Sequence, residues 1–110
     1  MISKDIMYKL CFYVPKSHLE VVKEALFSAG AGRYKNYDQC SWEVLGEGQF
    51  RPLEKSNPFT GNKFELKKIP EYRVEMVIDF NEIEKIIQIL HEVHPYEEPA
   101  YEFWQINYKN

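Results

Sequence analysis

The sequence predicts an α+β fold: a ferredoxin-like βαββαβ arrangement in which a four-stranded antiparallel sheet carries two helices on one face. Four segments combine β-branched and aromatic residues with strand-like alternation, and two others repeat apolar residues at helical spacing. A length of 110 residues suits one modest hydrophobic core. We therefore predict a single domain over residues 1–110, with residues 1–6 as a flexible N-terminal extension.

The first strand and the first helix are predicted in the N-terminal third of the chain. Residues 7–14 (MYKLCFYV) are rich in β-formers and therefore predict a strand. Ser17 and Glu20 have the spacing of a capping box, which starts a helix. Apolar residues then recur at helical spacing up to Gly30. His18 falls in the first helical turn, where a solvated surface histidine is expected.

The middle of the chain predicts two strands separated by a long connection. Residues 37–45 (YDQCSWEVL) and 71–80 (EYRVEMVIDF) alternate as strands do. Between them, residues 46–70 contain glycine and proline and show little periodicity. A connection of this length is unusual in a compact domain unless it works as an arm or a binding loop. We predict one of these two roles for it.

The last third predicts a helix followed by a strand. Asn81 is the predicted N-cap, with Glu84 three residues later. Apolar residues recur at helical spacing from Ile83 to Val93, and Pro95 ends the pattern. The final apolar run, YEFWQINY at 101–108, is the fourth predicted strand.

Charge and cysteine content narrow the possible partners. The net charge is −3, which gives no basic field for nucleic acid or an anionic membrane surface. Cys11 and Cys40 have neither CxxC spacing nor a disulfide framework, so we expect both to be free and reduced. The N-terminus has no sustained apolar run, so neither a signal peptide nor an anchor is expected. Together these features predict a cytoplasmic protein.

The predicted sheet leaves one face without helices. Alternation places Cys11, Tyr13 and Val77 on this face, with one set of rings from the last strand. Such a surface is too apolar to be left in water, and association with further copies would cover it. We therefore expect a homo-oligomer.

The stretch HPYEEP, residues 94–99, is the first candidate site. Its prolines predict a stiff corner between the last helix and the last strand. His94 with Glu97 or Glu98 could also bind a divalent metal ion such as zinc or copper, with Cys40 or His91 as a further ligand. The residues leave both readings open, a structural corner or a ligand site.

The second candidate site lies at the start of the long connection. Phe50 could anchor an arm on a neighbouring subunit. Alternatively, Gln49 and Arg51 could face a small anionic ligand. Tyr96 of the proline-rich corner joins these three residues as a candidate ligand contact, because its ring can be buried while its hydroxyl bonds a partner.

Several blocks of the sequence resemble a known family. They are MYKLCFYVPKSHLEVVKEALFSAGAG, YDQCSWEVLGEGQFRP, the NPFTG turn and EYRVE…HPYEEPAYEFW. These blocks, in this order, are similar to the small YqfO-type proteins and to the PII/CutA-like domain inserted in Nif-three-like proteins. The HPYEEP ending is also similar to the helix-to-strand corner of CutA. The resemblance implies a trimer whose open sheet faces turn inward.

The resemblance also implies functions. The leading expectation is a non-enzymatic, oligomeric binding module for a divalent metal ion or a small ligand, or for a protein partner. The alternatives are a metal-dependent hydrolase in the Nif-three-like manner and a purely structural interaction module. The histidine and carboxylate cluster of the larger Nif-three-like proteins is not carried over, because their flanking domains supply it and this sequence has three histidines.

Overall fold

The computed structural model describes residues 6–107 and confirms the predicted α+β fold. Its elements are β1 (Met7–Pro15), α1 (Leu19–Ser28), β2 (Trp42–Phe50), β3 (Lys67–Asp79), α2 (Ile83–Val93) and β4 (Tyr101–Ile106). The strands form one sheet in the order β2-β3-β1-β4, and every neighbouring pair is antiparallel. The predicted N-terminal extension lies outside the described residues except for Ile6, as does Tyr108 of the predicted last strand.

The core lies between one face of the sheet and the two helices. The inward residues of β1 and β3 are paired in register, with Leu10 opposite Met76 and Phe12 opposite Val74. Both pairs are buried, as expected for alternate residues on one face of a pleated strand. The helices contribute the fully buried side chains Val22, Leu26, Ile86 and Leu90. Among residues 6–107, neither helix is long and apolar enough to cross a membrane.

Both helices start differently from the predicted capping boxes. Each is preceded by a 3-10 turn, Lys16–His18 before α1 and Phe80–Glu82 before α2. Ser17 lies inside the first turn, and its hydroxyl contacts the ring of His18 rather than a helix amide. At the second turn the cap is Asp79, whose carboxylate accepts the N–H of Asn81 at 2.8 Å. Because of the 3-10 turns, Ser17 and Asn81 lie one residue before the N-cap positions of α1 and α2 and therefore do not cap these helices.

The second strand and the long connection were also predicted with the wrong bounds. The strand expected at 37–45 begins at Trp42, because the chain before it turns back on itself at a bridge between Tyr34 and Tyr37. The connection expected at 46–70 is a loop only over residues 51–66. Its ends continue the β2–β3 ladder as far as the pair Phe50 and Lys67. Pairing with the partner strand supplies the regularity that the sequence alone lacks.

The extended ladder makes a projecting arm, defined here as residues 46–70. The chain measures 53 Å along its longest axis and 24 Å and 22 Å along the others. Within the arm, the N–H of Phe64 donates to the carbonyl of Pro52 at 2.6 Å, which closes the loop on itself. The arm is therefore an ordered hairpin with its own hydrogen bonds.

The sheet face opposite the helices carries exposed apolar side chains. Trp42, Val44 and Trp104 are 58%, 44% and 41% exposed. The register places Trp104 opposite Lys9 on this face, as predicted for one set of rings from the last strand. Cys11, also on this face, is fully buried. We call this surface the open face.

Candidate functional site

His94 is a structural centre of the proline-rich corner. The side chain is 6% exposed, and its Nε2 lies 2.6 Å from the carbonyl oxygen of Tyr13. Its Nδ1 lies 3.1 Å from the backbone nitrogen of Tyr96. Because a carbonyl only accepts and an amide only donates, Nε2 carries the hydrogen and Nδ1 is bare. Both ring nitrogens of the neutral imidazole are therefore engaged by the backbone.

Burial lowers the pKa of His94 below its ordinary value. The hydrogen bond to the carbonyl of Tyr13 and the nearby carboxylate of Glu71 oppose this effect, and His18 and His91 add to it. The neutral form of His94 is thus the form that this corner holds.

The structure does not bring the four predicted metal ligands into one set. His94 is occupied as described, and Glu97 accepts the backbone N–H of Asn57 at 2.7 Å. Cys40 sits beside Gly32, with its N–H donating to that carbonyl at 2.8 Å. The fourth predicted ligand, Glu98, is exposed. Within residues 6–107 no three histidine, cysteine, aspartate or glutamate side chains are placed to hold a metal ion.

His91, the other histidine considered as a ligand, contacts Tyr101 at the start of β4. Its Nε2 lies 3.2 Å from the hydroxyl of Tyr101, and the two rings meet edge to face with centroids 5.4 Å apart. The i, i+3 relation between His91 and His94 therefore does not produce a shared site.

The corner instead meets the arm. The hydroxyl of Tyr96 donates to the carboxylate of Glu71 at 2.7 Å. Its ring lies 6.3 Å from that of Phe50 and 6.2 Å from that of Phe59, both tilted. Burial, followed by the hydrogen bond and charge of Glu71, raises the pKa of Tyr96, so its hydroxyl stays a donor.

A cavity of about 310 Å³ opens where the corner meets the arm. Four aromatic rings line it, those of Tyr13, Phe50, Phe59 and Tyr96. Three carboxylates line it, those of Glu71, Glu97 and Glu98. The remaining lining residues are small, polar or proline: Gln49, Pro52, Ser56, Pro58, Thr60 and Ala100. The volume is at the lower end of the range for small-molecule sites.

Comparison with known proteins identifies relatives of the chain. No protein-family model matches it. A curated relative from Halalkalibacterium halodurans, described as a GTP cyclohydrolase 1 type 2 homolog, is 38% identical over 104 residues, which is 94% of this chain and 28% of the relative. A solved Bacillus cereus protein related to NIF3 superposes with a TM-score of 0.80 at 33% identity, covering 96% of this chain and 27% of that one. The resemblance to YqfO-type, NIF3-related proteins is confirmed.

A more distant neighbour shares only the fold. The periplasmic divalent cation tolerance protein CutA from Archaeoglobus fulgidus superposes with a TM-score of 0.66 at 11% identity, covering 91% of this chain and 83% of that protein. The chain spans just over a quarter of the length of the curated relative described above. It therefore corresponds to one segment of that relative.

The cavity brings together most of the predicted ligand residues. Gln49, Phe50 and Tyr96 line it together, whereas Arg51 is not among the described residues that do so. Glu97 and Glu98, predicted as metal ligands, line the same cavity.

Tyr13, Phe59 and Glu71 are among the lining residues that were not predicted from the sequence. Phe59 belongs to the NPFTG turn, which was noted only as a point of family resemblance. Tyr13 and Glu71 lie in regular strands, and no feature of the neighbouring sequence distinguishes them from the other residues of those strands that do not face the core.

Gly48 explains how Glu71 reaches the corner. A side chain at Gly48 would collide with the carboxylate of Glu71, which lies across this position of β2. Glycine therefore leaves the space through which Glu71 extends to Tyr96. His18 supports the other side of the site, since its ring meets that of Phe59 edge to face at 5.4 Å. It is half-buried, and not the freely solvated histidine that was predicted.

Proposed function

We propose that this chain is a non-enzymatic binding module that holds a small ligand in the cavity between the corner and the arm. The observation that supports this function best is the convergence of two distant segments on one cavity. The hydrogen bond from Asn57 to Glu97 joins residues 94–98 to the arm, and the one from Tyr96 joins them to Glu71 at the base of the arm.

The corner is organised before any ligand arrives. His94 bonds the backbone on both sides, and prolines stand at 95 and 99. A group that is already fixed loses little further conformational entropy on binding, which favours affinity. The rings of Phe50, Phe59 and Tyr96 offer apolar contact area, and the carboxylates and the amide of Gln49 offer polar contacts.

We propose in addition that the module acts as a cytoplasmic homo-oligomer, with a trimer as the leading arrangement. The exposed side chains of Trp42, Val44 and Trp104 on the open face support association, because burying them would remove apolar area from water. The free cysteines Cys11 and Cys40 are consistent with a reducing compartment.

Binding at the cavity can be tested by titrating ¹⁵N-labelled protein with a library of small aromatic, cationic, neutral and anionic compounds. We expect at least one compound to shift the amide resonances of residues 49–60 and 94–100 together. The Ala100→Leu variant should lose this response, because its longer side chain would fill the lining at an exposed position.

A matched control is Ser28→Leu, which adds the same bulk at an exposed position on α1. This variant should respond like the wild type. A library in which no compound shifts the cavity resonances, or a response that survives Ala100→Leu, would contradict the proposed function.

A further inference from the structure

We infer that the cavity, if it has the proposed function, selects a small organic cation: an alkylated ammonium group seated against the rings of Phe50, Phe59 and Tyr96. This inference names the ligand class of that same site. It rests on the arrangement of the rings, on the sign of the surrounding charge and on the size of the cavity.

The rings of Phe50, Phe59 and Tyr96 line one cavity and lie close to one another. The ring planes of Phe50 and Tyr96 are inclined by 53°, and those of Phe59 and Tyr96 by 47°. Neither pair is stacked flat, and all three rings line the cavity. The faces of aromatic rings carry negative potential and attract cations, and aromatic cages bind quaternary ammonium groups by this means.

The charged groups of the lining have one sign. Glu71, Glu97 and Glu98 are all carboxylates, and no lysine, arginine or histidine is among the described residues that line the cavity. Glu71 and Glu97 are held in place by hydrogen bonds from Tyr96 and Asn57. Their field favours a cation and opposes phosphate or carboxylate ligands.

The two histidines beside the cavity do not reverse this sign. His94 lies beneath Tyr96 with its ring 4.9 Å away, and both of its nitrogens are bonded to the backbone in the neutral form. His18 contacts Phe59 but is not a lining residue. The anionic ligand considered for Gln49 and Arg51 is therefore disfavoured at this cavity.

The apolar character of the lining favours an alkylated cation over a bare metal ion. A small metal ion must lose bound water on entering the cavity, and aromatic rings and prolines do not offer ligands that replace this water. A trimethylammonium group spreads its charge over methyl groups, so it can be cationic and still make apolar contacts with the rings. A cavity of about 310 Å³ also suits a compact molecule.

Three probes of similar size distinguish the contribution of charge from that of shape. They are choline, its neutral isostere 3,3-dimethyl-1-butanol and the anionic 3,3-dimethylbutanoate. We would measure the dissociation constant of each at low ionic strength from the amide shifts of residues 49–60 and 94–100. Choline should bind at least about tenfold more tightly than the alcohol, because the alcohol keeps the apolar contacts and loses the charge. The acid should bind more weakly than either.

Two variants test the groups that we infer to act. Glu98→Gln removes an exposed lining charge without altering size, and Phe59→Leu removes a π face while keeping apolar bulk. Each should weaken choline binding about two- to fivefold, with a smaller effect on the alcohol. Glu24→Gln, which removes an exposed charge on α1 outside the cavity lining, is the control and should change neither constant.

The outcomes separate this inference from the proposed function. If the alcohol or the acid binds as tightly as choline, or if choline shifts none of the cavity resonances at millimolar concentration, the cation inference is overturned. The proposed function would survive that result as long as an uncharged or anionic library compound still binds there. If no compound of any charge binds at the cavity, both fail together.

Discussion

The hydroxyl of Tyr96 donates a hydrogen bond of 2.7 Å to the carboxylate of Glu71 and so joins the proline-rich corner to the base of the arm. One partner follows α2, and the other lies in β3 where the arm leaves the sheet. The bond is partly buried, so each group would otherwise lose water without compensation. Both residues line the cavity, so the bond lies in its wall.

Tyr96→Phe should lower the free energy of unfolding, because it removes the hydrogen bond between Tyr96 and Glu71 in the wall of the cavity. The variant keeps the ring and leaves the carboxylate of Glu71 without its donor, which costs about 1–2 kcal/mol of unfolding free energy. Urea denaturation measures this cost. The control is Tyr37→Phe, which removes the hydroxyl of a tyrosine that is 72% exposed and should change the midpoint little. Equal midpoints for the Tyr96 variant and the wild type would show that the bond contributes nothing.

Gly48→Ala should break the same bond from the other side. The added methyl group would displace the carboxylate of Glu71, a flexible side chain, and so separate it from Tyr96. We expect a loss of about 1–2 kcal/mol. Gly46→Ala is the matched control, because a Cβ there meets only the carbonyl oxygen of Glu71 at 3.9 Å.

The two variants should also be non-additive. Once Tyr96→Phe has removed the donor, displacing Glu71 breaks no further hydrogen bond, so the double variant should lose less than the sum of the single losses. Strict additivity in a double-mutant cycle would indicate that Gly48 acts through some other contact.

His94 predicts a specific pH dependence of stability. In the folded state the pKa of His94 is lowered, chiefly by burial. In the unfolded chain its pKa is close to the ordinary value of about 6.5, so the unfolded chain binds the proton more readily than the folded protein does. The contribution of His94 is therefore fully present above that pH and is lost as the pH falls from about 6.5 towards the folded pKa. Below the folded pKa it should fall no further.

Unfolding free energies between about pH 5 and pH 8 measure this dependence. His94→Gln should be less stable than the wild type at neutral pH and should lack the histidine-dependent slope. His91→Gln, which removes an exposed imidazole, should keep the wild-type slope because His94 is intact. A slope that survives in the His94 variant would place its origin in another group.

The core was predictable because it depends on local periodicity. Leu10, Phe12 and Val74 repeat at strand spacing, and alternation alone assigns them to one face. The order βαββαβ then leaves few topologies, and the observed sheet is one of them.

The arm and the site depended on contacts between distant segments. Residues 46–50 form a strand because residues 67–71 pair with them, which no local pattern shows. His94 is a residue type that can bind a metal ion, but its ring nitrogens contact backbone groups of Tyr13 and Tyr96 instead. The contact with Tyr13 joins residues far apart in the sequence, so the sequence around His94 does not indicate it. Glu71 had no distinguishing local signal at all.

Self-association through the open face is the last prediction. Light scattering should give a mass well above the 13.2 kDa of one chain, and about three times that value for the proposed trimer. Trp104→Glu should lower the measured mass at a given concentration, because burying a carboxylate in place of an indole is strongly unfavourable. Val21→Glu is the control: its side chain is 52% exposed on α1, on the helix side of the sheet, and should leave the mass unchanged. Circular dichroism of both variants would show whether the fold is kept. A wild-type mass of one chain at micromolar concentration would refute the prediction, and an unchanged mass for Trp104→Glu would move the interface away from the open face.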